Sequence, residues 1–168
     1  MLGSSGPDTV TFAMSLTSGT HHVATLTADL DRLIDFYGRV FDGEVVADMR
    51  EEGLRHAFID LGGGFLLHSF EIPGVDVPQG ELPIFARGRI DHLALKADTA
   101  EAFWVLRERI HQAGASDGEV TDMGLLLSAG FTDPDGLWGE VCWDRPADEA
   151  FGNAERSTWR HIPYPERA

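Results

Sequence analysis

The chain has 168 residues, 43% of them apolar and 24% charged, which suits one folded unit with a buried core rather than a disordered chain. Thirteen basic against 28 acidic side chains leave a formal charge of −15, which repels phosphate backbones and anionic lipid and excludes nucleic-acid or membrane-surface binding from the expected partners. Cys142 is the single cysteine, so no intrachain disulfide forms and a reducing cytoplasm is the expected setting. No apolar run approaches the roughly 18–20 residues of a membrane span.

Residues 1–18 lack the basic and apolar regions of a secretory leader and read as a flexible N-terminal arm. A strand, "HHVATLT", then leads to Asp29, a predicted helix N-cap. Behind it Leu30, Leu33, Ile34, Tyr37 and Phe41 recur at helical spacing. Three strand-length runs follow, "GEVVADM", "RHAFIDL" and "GFLLHSF", the last two separated by a turn at Gly62–Gly64. Residues 73–88, with Pro73, Pro78 and Pro83, read as a linker.

The pattern then repeats. "DHLALKA" leads to Asp98, a second predicted cap, and to Phe103, Leu106 and Ile110 on a helix closed at Gly114. "GEVTDMG", "LLLSAGF" and "LWGEVCW" follow, the last two joined by the turn Asp133–Gly136. His22 and His92 lie 70 positions apart, His68 and Glu140 lie 72 apart, and both halves read β-α-β-β-β. The expected fold is α+β: two paired βαβββ modules, 19–72 and 89–144, forming a cupped, barrel-like mixed sheet with helices on the outside. Residues 145–168 read as a tail packed on the surface or on a partner.

His22 and His92 open the first strand of each half, and His68 and Glu140 occupy the last. Three imidazoles and a carboxylate suit one divalent first-row transition metal per site: Fe, Zn, Ni, Co or Mn. Alternation along a strand selects His22 over His21 as the inward member of that pair. His56 is a candidate acid or base, and Phe58, Phe70, Phe131 and Trp138 are candidate substrate-binding residues. His111 and His161 receive no site role, and Cys142 reads as an inert buried thiol.

The strings "HHVATLTADLDRLIDFYGRVF", "GGGFLLHSFEIPG", "IDHLALKAD" and "FTDPDGLWGEV" resemble the vicinal oxygen chelate superfamily, which includes glyoxalase I, extradiol dioxygenases and the fosfomycin and bleomycin resistance proteins. By position, the resemblance places His22, His68, His92 and Glu140 on the family's metal-ligand positions and gives Glu140 a proton-transfer role. It implies a homodimer acting on a small oxygen-chelating molecule, by isomerase, lyase or dioxygenase chemistry. The alternative is an antibiotic- or small-molecule-binding resistance protein without catalysis. His68 stands where glyoxalase I-like members carry glutamate, and Gly130 stands where extradiol dioxygenases carry a tyrosine.

Overall fold

The computed structural model describes residues 20–75, 90–151 and 156–167. The expected N-terminal arm and nearly all of the expected linker lie outside these residues. Strand β1 (His22–Thr27) leads into helix α1 (Leu30–Phe41), followed by β2 (Glu44–Glu51), β3 (Leu54–Asp60) and β4 (Leu66–Glu71). The second half runs β5 (Leu93–Lys96), α2 (Ala100–Gln112), β6 (Val120–Asp122), β7 (Leu126–Thr132) and β8 (Trp138–Asp144), and ends on a short strand β9 (Arg160–Ile162). No helix among the described residues is long and apolar enough to cross a membrane.

Local chemistry sets the helix ends. The Asp29 carboxylate accepts the Arg32 amide at 2.9 Å, satisfying one of the orphan donors of the first turn. In α2 the cap is Thr99, one residue later than expected, whose hydroxyl accepts the Ala102 amide. Gly114 follows the end of α2 with φ +70°, a conformation that suits glycine.

The two βαβββ modules are present, and they form two separate sheets with no closed barrel among the described residues. One has the order β1-β4-β3-β2, the other β5-β8-β7-β6-β9. In each, the first strand runs parallel to the last and antiparallel pairs complete the sheet. Leu30, Leu33, Phe36, Tyr37 and Val40 of α1 share one core with Phe103, Trp104 and Ile110 of α2, with Ala57, Ile59 and Leu67 of the first sheet, and with Val120, Leu127, Ala129, Phe131 and Val141 of the second. Both halves therefore pack around a common apolar centre, and the opposite strand faces are left to the candidate site.

Polar bonds lock the same joint. The Tyr37 hydroxyl donates to the buried Asp133 at 3.3 Å, and Asp133 Oδ1 accepts the amides of Asp135 and Leu137. Asp135 in turn accepts from Thr27, the Ala28 amide and Arg32, so the 133–136 turn of one half clamps the start of α1 in the other. Among its described residues the tail packs on the second half and adds a strand to its sheet. β9 pairs antiparallel with β6, and buried Arg107 of α2 donates to the carbonyls of Gly118, Ile162 and Glu166.

Candidate metal centre

In the first half, β1 and β4 pair with Ala24 opposite His68, which puts His22 one diagonal step away, with ring centroids 5.4 Å apart. His22 is exposed and His68 is buried. Phe58, directly across the β3–β4 ladder, stacks on the His68 ring at 3.7 Å, and Phe70 leans on it at 4.2 Å. Burial lowers the His68 pKa, and the neighbouring imidazoles of His56 and His22 lower it further, so the ring is held neutral, the form that coordinates metals.

His56 is buried between Phe70, which stacks parallel to it, and His68, whose Nε2 lies 2.8 Å from His56 Nδ1. Its other nitrogen faces Glu51 at 3.4 Å without a formed hydrogen bond. Both nitrogens are thus turned to protein groups. His21 does not point away from His22 as alternation suggested. The strand begins only at His22, and the two Nδ1 atoms approach to 2.9 Å.

In the second half, His92 immediately precedes β5. Its Nδ1 lies 3.0 Å from Asp91 and its Nε2 3.2 Å from Glu140 Oε1. Glu140 sits on β8 between Ala94 and Gly130, and its second oxygen accepts the Ser128 hydroxyl at 2.6 Å. Trp138 shares this face, its ring 5.1 Å from His92. Cys142 is there too, its thiol pushed up to about 12 by burial and then by the Glu140 charge.

Among the described residues no three His, Cys, Asp or Glu side chains gather closely enough to hold an ion. The chain presents the four donors as two pairs, His22 with His68 and His92 with Glu140. Each pair fits half of a coordination sphere: two imidazoles in one, and an imidazole nitrogen beside a carboxylate oxygen in the other.

The aromatic expectations divide. Phe58 and Phe70 lie on the histidine face, where they pack the imidazoles, and Trp138 is partly exposed beside His92. Phe131 is corrected from cavity to core: Ser128 and Gly130 of β7 face Glu140, so Phe131 turns the other way and packs against Phe36 and Phe41. His111 stacks on Tyr164, and His161 pairs with Glu119. Asp91, Ser128 and Glu51 were absent from the expected site. The first two could have been found from sequence by asking which residues accompany each donor in both halves.

The signature of the Glyoxalase/Bleomycin resistance protein/Dioxygenase superfamily matches residues 19–141. The chain belongs to that superfamily. Its structure resembles a glyoxylase/bleomycin resistance protein/dioxygenase domain from Frankia sp. EAN1pec, at TM-score 0.63 and 26% identity over 78% of this chain and 95% of that one. It also resembles the fosfomycin resistance protein FosX from Listeria monocytogenes, solved with Mn(II) and sulfate, at TM-score 0.58 and 19% identity over 80% and 98%. A glyoxalase I mutant from Zea mays shares the fold at TM-score 0.53 and 23% identity, over 73% of this chain and 44% of that one. No curated protein sequence matches. At these identities the FosX and glyoxalase I likenesses speak for the fold.

Proposed function

We propose that this protein is a divalent-metal-dependent enzyme that binds a small organic substrate through neighbouring oxygens, with His22, His68, His92 and Glu140 as the ligands of one ion. The observation that carries this reading is that the four donors occupy repeat-equivalent positions, three on strands and His92 just before one, with His92 Nε2 3.2 Å from Glu140 and the His22 and His68 rings 5.4 Å apart. Because one chain offers them as two pairs, the complete site is assembled by a homodimer. The first half of one copy meets the second half of the other, and the edge strands β1 and β5 that border the pairs are where the copies approach.

The bound ion would polarise a substrate oxygen and stabilise negative charge that develops there. The protein's own groups do the rest. Glu140, with Oε2 held by Ser128 and Oε1 beside His92, is placed to accept or return a proton at the reacting carbon or oxygen. Trp138, exposed by 40%, supplies an apolar wall for the substrate body. Iron would direct the site to dioxygenase chemistry, and zinc, nickel, cobalt or manganese to isomerase or lyase chemistry.

One observation favours sequestration without turnover as the second reading. Leu26, exposed by 53%, shares its strand face with His22, as Trp138 does with Glu140, so a flat apolar ligand would find surface on both halves. Elemental analysis of untagged protein purified without added metal separates the readings. About one ion per chain, lost in His92→Ala and Glu140→Ala, supports the enzyme. No ion in the wild type and none taken up on reconstitution, with saturable ligand binding indifferent to chelators, supports sequestration.

A further inference from the structure

The repeat that aligns the donors also aligns a second set of residues around them. Glu140 follows His68 by 72 positions, and Ser128 follows His56 by the same 72. The two bonds that result are equivalent: His56 to His68 at 2.8 Å from β3 to β4, and Ser128 to Glu140 at 2.6 Å from β7 to β8. Across the first strands, His21 and Asp91 stand 70 positions apart, each one residue before a donor histidine and each within 3.0 Å of its Nδ1. Every donor is thus tied by a polar neighbour drawn from the same place in its module, although the chemistry of the neighbour differs between halves.

The ties leave a specific atom of each donor over. The Glu51 carboxylate, 3.4 Å from His56 Nε2, favours the proton on that nitrogen, which makes His56 Nδ1 an acceptor. His68 then donates from Nε2, and its Nδ1 keeps the free lone pair. On the other side Ser128 takes Glu140 Oε2 and leaves Oε1, which already faces His92 Nε2. Metal-bound histidines and carboxylates need such partners to fix the ring tautomer and orientation.

We propose that His56 and Ser128 are repeat-related positioning residues: His56 fixes His68 as an Nδ1 donor and Ser128 fixes Glu140 as an Oε1 donor. His56 accordingly acts through His68 and not on substrate. The inference rests on the metal-site reading given above, and its test has an arm that needs no metal.

In the metal-free protein, nitrogen-detected NMR of the histidine rings is expected to show His68 protonated at Nε2. His56→Phe, which keeps the stack on Phe70 but removes the acceptor, is expected to abolish that preference. His56→Asn, which restores an acceptor near the Nδ1 position, should recover it. Cobalt(II) titration supplies the second arm: His56→Phe and Ser128→Ala are each expected to weaken binding about 10–100-fold, with recovery in His56→Asn and Ser128→Thr. If the wild type takes up no cobalt, the metal reading fails while the NMR arm still decides whether His56 orients His68. The proposal is overturned if the ring proton of His68 is unchanged in His56→Phe, or if folded Ser128→Ala binds cobalt as tightly as wild type. Should His56→Phe not fold, His56→Gln, which has no acceptor at the Nδ1 position, takes its place in both arms.

Discussion

At the level of single residues, the structure separates look-alikes that composition treats as equal. Cys142 shares a strand face with Glu140, yet burial and that carboxylate hold it as a thiol. It should resist a thiol-specific alkylating reagent at pH 8 in the native protein and react fully once unfolded, and mass spectrometry of both states checks this. Gly139 lies under the Phe131 ring, where a Cβ atom would overlap the aromatic carbons. Gly139→Ala should therefore cost about 2 kcal/mol by urea unfolding, with partial recovery in the double variant Gly139→Ala with Phe131→Leu. The same contact belongs to the core, where Phe131 is 3% exposed. Its aromatic ring suggested a cavity wall, but the phase of β7 is visible only once Ser128 is known to reach Glu140. His21 was misjudged for a related reason: alternation applies inside a strand, and β1 starts one residue later.

Among the elements, helix ends and turns were the most legible, because their signals are local. Asp29 caps α1 as its chemistry required, and Asp29→Ala should lower stability by about 1 kcal/mol in thermal or urea unfolding. The cap of α2 was placed one residue early because Asp98 and Thr99 are both good N-caps and the hydroxyl won. β9 was not legible at all. Three residues carry no period, and the strand is held by pairing with β6 and by Arg107 beneath it. The 133–136 turn joins β7 to β8 as its sequence suggests, and its carboxylates also clamp the two halves. Burial raises the Asp133 pKa, so the native state keeps this proton over a pH window where the unfolded chain has released it. The group's contribution to stability is then fullest below the ordinary carboxylate range and falls as pH rises through the raised value. Asp133→Asn, which keeps the acceptor for the two amides, should flatten that dependence in urea unfolding measured from pH 4 to 8. Asp133→Ala strands the amides and the Tyr37 hydroxyl and should cost about 2–3 kcal/mol at the acid end of that range, and less as pH rises.

For the whole molecule, the internal repeat was the strongest sequence signal, since it paired His22 with His92 and His68 with Glu140 before any geometry was known. It could not say how the halves meet. That is decided by α1 and α2 sharing one core, which turns the donor faces outward as two pairs. If two copies complete each site, a chain carrying His22→Ala with His68→Ala and one carrying His92→Ala with Glu140→Ala should each bind no metal alone. Unfolded together and refolded, they should recover about a quarter of the wild-type metal, because half of the dimers are mixed and each mixed dimer holds one intact site. Recovery of none would place the site within a single chain.

The outer strands of the two sheets also bear on what happens when many copies are present. β9 is only three residues long, but β2 is an eight-residue outer strand with Val45 and Val46 exposed, the sort of edge that recruits further strands into fibres. Its ladder with β3 slips between Val45 and Ala47, and Glu44, Asp48, Arg50 and Glu51 surround the valines with charge. That irregularity spoils the template on which a neighbouring chain would zip. Among the described residues the longest outer strand is therefore a poor seed for growth by strand addition.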